Sequence, residues 1–383
     1  MFTKNPKRDS FVDSWRGIFH IILTLDHLSF IFPAASTILI GGFELFGFIS
    51  VAEGFVFLSG YVAGLIYTRT RREKGARYVW LKSIVRSFQI YVCYVIAVMV
   101  FVAIVKCGGE FYAQWGAWSD LIKLPFCESL IRVVFLLNQP DFLEILPMYC
   151  CFLLAIPTII YLLEVRQLKL ILIVSVSLWV ASQFGLRDYL VVVGVPKGLC
   201  IQIGYFNALA WQILFVFGVI CGRKSLDERQ PHWLPQSRFL CSTTYIIAFS
   251  LFMLKHQYLG IRISHNWTDA SALGPIRLLN FFCVAFLICR FRTALNKCIS
   301  WQGFAFLSKH SLLVFAFHLY PIYLLTFFID VKSQHSIIGQ LTIFVFCVGS
   351  LFVIAFFAKH FSKYWFCLFN QRTASANENR AIS

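Results

Sequence analysis

The sequence predicts an all-α, polytopic integral membrane protein of about ten transmembrane helices, with both termini in the cytoplasm. Three observations carry this: a composition 59% hydrophobic and only 14% charged, ten apolar stretches of spanning length, and basic residues gathered in alternate connecting loops. A soluble domain is nearer half apolar and a quarter charged, so a chain of 383 residues with so little charge lacks the polar surface to face water all round.

A crossing of the hydrocarbon core needs about 20 mostly apolar residues. Ten segments supply them: 14–33, 45–67, 84–105, 144–163, 167–185, 201–222, 239–255, 273–290, 311–328 and 337–358. No convincing small-residue cleavage site follows the first, so it reads as a retained helix and not a removed signal peptide. The connection 106–143 is the long one, and its apolar stretch around Leu130–Leu137 is either re-entrant or surface-lying. Orientation follows from Lys and Arg. The N-terminus, the loops 68–83, 164–169, 223–238 and 290–310, and the C-terminus hold the large majority of the 34 basic residues. That side is the cytoplasm, and an even number of spans returns the C-terminus to it. The chain reads as one membrane domain over 1–370, with a polar, disordered cytoplasmic tail over 371–383.

The net charge of +16 is explained by this topology. No folded basic domain is left over for nucleic acid, so no nucleic-acid partner is expected. Thirteen cysteines are scattered through apolar runs without a CxxC pair, and no zinc-type ligand spacing occurs, so no metal site is expected.

Ionisable residues inside a bilayer are costly and mark function. In the first segment, Asp13, Arg16, His20, Thr24 and His27 fall within an arc of roughly 80° at helical spacing, a polar stripe running past the midplane. Asp26 points about 100° away from His27. Glu53, about eight residues from the outer end of the second segment, matches the depth of His27 within roughly 3–5 Å. A carboxylate beside an imidazole orients a general base, so Glu53 or Asp26 is expected to serve His27. Gly60 and Gly64 form a GxxxG pair that reads as close helix packing. His318 follows Ser311 by one heptad on one face, with Pro321 beyond it; substrate binding and a backbone pairing are both open to it.

Polar and aromatic residues gather toward the outer side. They are Asn138, Gln139, Asp141, Glu144 and Tyr149 before and in the fourth segment, Arg187, Asp188 and Lys197 in the next outer loop, and Asn207, Trp211 and Gln212 in the sixth segment. They suit sugar binding by stacking and hydroxyl hydrogen bonds, and equally an interfacial aromatic belt. On the inner side, Arg69, Arg71, Arg72, Lys74, Arg77, Lys82 and Arg86 can hold coenzyme phosphates, although the positive-inside rule alone accounts for them. No Walker or GxGxxG loop is present, which leaves nucleotide hydrolysis unsupported.

The stretches FVDSWRGIFHIILTLDHL and VAEGFVFLSGYVAGLIY resemble the opening of the OpgC family, which is related to the acyltransferase-3 superfamily of membrane acyltransferases. EILPMYCCFLLAIP, FNALAWQILFVFG and LSKHSLLVFAFHLY fit in the expected order. The resemblance implies an O-acyltransferase of the bacterial inner membrane that succinylates osmoregulated periplasmic glucans. It would bind no cofactor and would use an acyl-CoA, succinyl-CoA in the first instance, as co-substrate. Carried onto this sequence, the family's first-helix histidine, taken as catalytic base, is His27, its entrance arginine is Arg16, and its AE-x-FVFLSGY stretch brings Glu53. The basic, crowded 69–77 loop departs from the pattern. The expected partners are acyl-CoA, a periplasmic glucan or other glycan, and membrane lipid. The expected site is His27, Glu53 and Asp26 for catalysis, and Arg16, His20, Arg69, Arg71 and Arg72 for the donor. Asp141, Tyr149, Asn207, Trp211, Gln212 and His318 are expected to hold the acceptor. Absence of a GxSxG elbow disfavours a serine acyl-enzyme. The competing reading is a transporter or flippase for a glycan or lipid-linked sugar, which a polar seam also serves; no inverted repeat is seen.

Overall fold

The computed structural model describes residues 9–31, 44, 46–108, 119–196, 201–227, 235–328 and 337–378. Lys197 lies outside them. Among these residues the chain is helical and carries no strand, only one isolated bridge between Asn138 and Gln202. In chain order the helices are α1 (Ser10–Ile31), α2 (Val51–Lys74), α3 (Ala76–Gly108), α4 (Ser119–Lys123), α5 (Phe126–Val134), α6 (Ile145–Glu164) and α7 (Leu168–Gln183). Then come α8 (Leu186–Gly194), α9 (Ala208–Asp227), α10 (Arg238–Lys255), α11 (His265–Thr268), α12 (Pro275–Arg290) and α13 (Arg292–Ile299). The last four are α14 (Gln302–Lys309), α15 (Ser311–Phe317), α16 (Leu319–Phe328) and α17 (Ile337–Glu378).

Each apolar segment of the sequence corresponds to helix. Among the described residues six helices (α2, α3, α6, α9, α10 and α17) are long and apolar enough to cross a membrane, which makes this a membrane protein. The count rises to eight if the bent pairs α7–α8 (79°) and α12–α13 (81°) each make one span. Two of the ten expected spans therefore fall short. In α1 the polar stripe lowers the hydropathy, and over 311–328 the helix breaks at His318, so α15 and α16 are each short. Pro321 has no N–H for the Phe317 carbonyl four residues back, which weakens the helix there. The stretch after 106 forms the short helix α5, with Phe126, Ile131 and Phe135 exposed. The boundary expected at 371 falls inside α17, whose backbone continues helical to Glu378.

By their packing the helices sort into two compact units. Unit 1 comprises 1–42 and 298–383, and unit 2 comprises 43–297. In unit 1, α1 lies so close to α14 that a Cβ on Gly17 would meet the Phe304 carbonyl oxygen at 2.2 Å. Leu28 packs with Ile322, Ile343 and Cys347.

Unit 2 is built on a contact between α2 and α9. A Cβ on Gly60 or Gly64 would meet the carbonyl oxygens of Phe215 and Val219 at 2.2 and 2.3 Å. The relation is reciprocal: a Cβ on Gly218 or Gly222 would meet those of Phe57 and Tyr61 at 2.3 and 2.1 Å. Two GxxxG faces thus lie backbone to backbone, as small residues at membrane helix contacts permit. The second face, Gly218 and Gly222, went unread in the sequence. Nearby, Ser83 donates to the Leu153 carbonyl, and Ser87 Oγ to that of Cys150 at 3.2 Å, joining α3 to α6.

Candidate active site

In unit 1 the polar stripe of α1 meets the chain from α14 to His318 residue by residue. Asp13 accepts from Ser308 Oγ at 3.0 Å. His20 Nε2 lies 2.8 Å from Ser311 Oγ. His27 Nδ1 lies 2.8 Å from His318 Nε2, with ring centres 4.9 Å apart and a 31° tilt. Thr24 gives its hydroxyl to the His20 carbonyl one turn back. His20, Thr24, Asp26, His27 and His318 are buried, and Arg16 is half-buried. Asp26 lies off this face, and its backbone carbonyl accepts from Ser29 Oγ at 2.7 Å.

The histidine pair has a defined direction. His318 Nδ1 faces the Phe315 carbonyl oxygen. A carbonyl only accepts, so that nitrogen carries the proton and His318 Nε2 carries the lone pair. His27 must then donate from Nδ1, which places its own lone pair on Nε2. These protons are assigned from the hydrogen-bond pattern. A neutral imidazole whose second nitrogen is held by a fixed acceptor is the arrangement of a general base. His318, expected on the acceptor, lies with Nε2 against His27 Nδ1.

Glu53 stands in unit 2, in a different setting from the one expected. Ser50 is the N-cap of α2, and the pair forms a capping box. Glu53 Oε2 accepts from Ser50 N at 3.0 Å and Ser50 Oγ at 2.7 Å, while Ser50 Oγ accepts from Ala52 N at 3.3 Å. Glu53 is therefore in the first turn of its helix and not eight residues into a span. The Ser50-x-x-Glu53 spacing is the sequence signal for this. Its Oε1 accepts from Arg277 Nε. Both carboxylate oxygens thus have partners within unit 2, and His27 has His318 within unit 1.

Arg277 is the residue that sequence reading missed. It is 1% exposed, pairs with both Glu53 and Glu44, and Lys255 closes the cluster on Glu44. The four formal charges cancel. One turn on, Asn280 Oδ1 accepts from Phe48 N at 2.7 Å. An arginine three residues after Gly274, opening an apolar helix, was the available signal.

The other expected acceptor residues are also in unit 2. Asn207 Oδ1 accepts from Leu209 N at 3.0 Å at the start of α9, and Asn207 N donates to the Ser271 carbonyl at 2.9 Å. Trp211 is fully buried, its indole N–H shared between the Ala270 and Ser271 carbonyls at 3.1 and 3.0 Å. Gln212 exchanges two 2.7 Å hydrogen bonds with Ser175. Tyr149 packs edge-on against Phe215, centres 5.8 Å apart. Asp141 is half-buried in the turn before α6, where burial raises its carboxyl above the usual range.

The three arginines expected on the donor lie at the far end of α2, each against a carboxylate. Arg69 meets Glu73 at 2.7 Å, Arg71 meets Glu164 at 2.8 Å and Arg72 meets Asp227 at 2.5 Å. Arg71 and Glu164 are half-buried, whereas the more exposed pairs of Arg69 and Arg72 are worth about 0–1 kcal/mol, so a polyphosphate can displace those two carboxylates at small cost.

A family model described as OpgC protein matches residues 8–363. No curated protein and no solved structure matches the chain.

Proposed function

As this chain belongs to the OpgC family, we infer that it is a membrane-bound O-acyltransferase that moves an acyl group, succinyl in the first instance, from a cytoplasmic CoA thioester to a hydroxyl of a periplasmic glucan. Membership in the family suggests a glucan-modifying acyltransferase. The donor, the acceptor and the roles of these residues are proposals. So are ten membrane crossings, both termini in the cytoplasm, and residence in a bacterial inner membrane.

The observation that carries the reading is the hydrogen bond from His27 Nδ1 to His318 Nε2, which directs the His27 Nε2 lone pair to act as base. That nitrogen takes the proton of a glucan hydroxyl. The hydroxyl oxygen attacks the thioester carbon, the carbon–sulfur bond breaks, and the imidazolium returns its proton to the leaving CoA thiolate. Proton transfer of this kind contributes about 10²–10⁴-fold to rate. Arg16, His20, Arg69, Arg71 and Arg72 are the groups proposed for the donor's phosphates. Asp141, Tyr149, Asn207, Trp211 and Gln212 frame the acceptor.

The test is transfer from succinyl-CoA to a gluco-oligosaccharide by purified protein in detergent, followed by mass spectrometry of the ester. His27→Ala should lower transfer by at least about 10²-fold at normal expression. Near-normal transfer by that variant removes His27 as the base.

A further inference from the structure

We propose that Tyr205, Glu144, Arg277 and Asn280 form a sugar-binding subsite of unit 2, with Tyr205 as its stacking face. The proposal rests on the glucan-acceptor reading above and says where one sugar unit is held.

Two buried donors lie one helical turn apart on α12. Arg277 Nη2 and Asn280 Nδ2 have no hydrogen-bond partner among the described residues, and their side chains are 1% and 0% exposed. An unmet buried N–H costs about 1–3 kcal/mol, which ligand contact offsets. Both oxygens of Glu53 are occupied by Arg277 and Ser50, and both of Glu44 by Arg277 and Lys255. Those two carboxylates already balance Arg277 and Lys255. The cluster therefore presents donors without surplus charge, which favours a neutral oxygen over a second carboxylate. Sugar hydroxyls and ring oxygens are neutral acceptors.

The segment 201–207 brings an aromatic ring to this end of the unit. Gln139 N donates to the Gln202 carbonyl at 3.0 Å, and Gln202 N to that of Leu137 at 2.8 Å, so one side is pinned to the chain before α6. On the other side, Asn207 N reaches Ser271. Gly204 rests on Glu144 so tightly that its Cβ would fall 2.4 Å from the Glu144 Cβ. Tyr205 follows, 48% exposed, with Phe206 edge-on behind it at 5.3 Å. Phe206 packs on Trp211 with centres 4.5 Å apart, and Asn207 N is held by Ser271 four residues before α12, so the segment sits at the start of the helix that carries Arg277 and Asn280. Glu144 is buried, and its Oε2 has no partner among the described residues. Burial pushes that carboxyl up to about 8, so near neutrality it holds a proton and can both donate to and accept from a hydroxyl. An exposed ring beside unmet donors and a protonated carboxyl matches the apolar face and hydroxyl edge of a pyranose.

Laminarihexaose titrated into the purified protein and followed by calorimetry tests this. Tyr205→Ala, at an exposed position that leaves the buried cluster intact, should weaken binding about tenfold, while Tyr205→Phe stays within about twofold. Asn280→Ala should weaken it as well. No binding by the unaltered protein, or Tyr205→Ala binding as tightly as it, overturns the subsite. Tyr205-dependent binding without acyl transfer sinks the acyltransferase reading and keeps the subsite. Acyl transfer with an acceptor KM unmoved by Tyr205→Ala keeps that reading and sinks the subsite.

Discussion

Removing Arg277 should unfold unit 2 more readily than any other single change in its ion cluster. The guanidinium is 1% exposed and serves Glu53 at 0% and Glu44 at 7% exposure. At contact separation and an effective dielectric of about 20, each pair is worth about 4 kcal/mol before desolvation. Arg277→Met leaves Glu44 with Lys255, but leaves Glu53 with only the neutral donors of Ser50. Breaking a buried pair from one side costs about 3–5 kcal/mol, and that is the expected loss. Neutralising the stranded carboxylate should restore most of it: Arg277→Met with Glu53→Gln should recover about 2–3 kcal/mol relative to the sum of the single changes. Denaturation in mixed micelles, read by tryptophan fluorescence, gives all four corners of the cycle. If Arg277→Met is as stable as the unaltered protein, or if the two losses simply add, the cluster does not hold unit 2 together as described.

Three further outcomes are expected. Glu144 sits just before α6, outside its span, with burial and then Asp141 raising its carboxyl to about 8. The folded state then binds a proton more tightly than the unfolded one. The contribution is therefore fully present at pH 4 and lost at up to about 1.4 kcal/mol per pH unit as pH climbs from about 4.5 to 8. Melting scans in detergent across that range should show the decline, and Glu144→Gln should flatten it. Gly64→Ala should destabilise by about 1–3 kcal/mol, since the Val219 carbonyl stands in the way, whereas Gly349→Ala in α17 meets nothing within 4 Å and should gain up to about 1 kcal/mol. His318→Ala should lower kcat about tenfold or more with little change in acceptor KM, and His318→Gln, whose amide oxygen can accept from His27 Nδ1, should recover part of it; equal loss in both variants argues against a positioning role.

The helices were legible because twenty-residue apolar runs in a chain of this composition have one economical form. Their ends were less so. Residues 45–50 are apolar enough to extend a span, yet Ser50 and Glu53 fix the start of α2 at Val51, and Asn207 does the same for α9 at Ala208. Local capping outranks hydropathy at a helix terminus. The stripe on α1 was legible because its residues share one helix face. Its partners were not, because Ser308, Ser311 and His318 lie almost three hundred positions away, and no rule of spacing reaches that far. Depth along two neighbouring segments suggested Glu53 for His27, and the Ser50-x-x-Glu53 spacing carried the capping box that the structure shows. Arg277 was hidden for a related reason: one arginine in an apolar helix is conspicuous, but its meaning depends on two glutamates that only the fold brings to it.

Helix direction bears on the number of crossings. In unit 1, His20 meets Ser311 and His27 meets His318, so both numbers rise together and α1 runs parallel to α15. In unit 2, Gly60 and Gly64 meet Phe215 and Val219, so α2 and α9 also run parallel, while Ser83 with Leu153 and Ser87 with Cys150 set α3 against α6. Number the apolar segments of the sequence one to ten. Parallel pairs then join the first to the ninth and the second to the sixth, and the antiparallel pair joins the third to the fourth. Strict alternation of direction demands this parity in all three cases. Losing an odd number of crossings between residues 33 and 311 would reverse the first relation. Reporter fusions at the two ends should therefore report the same side of the membrane, and a fusion in the loop after residue 255 the opposite side. Ends on opposite sides would mean that the short, broken α15–α16 stretch or the polar α1 does not cross, and that the His27–His318 pair is built by a helix that enters the membrane and returns.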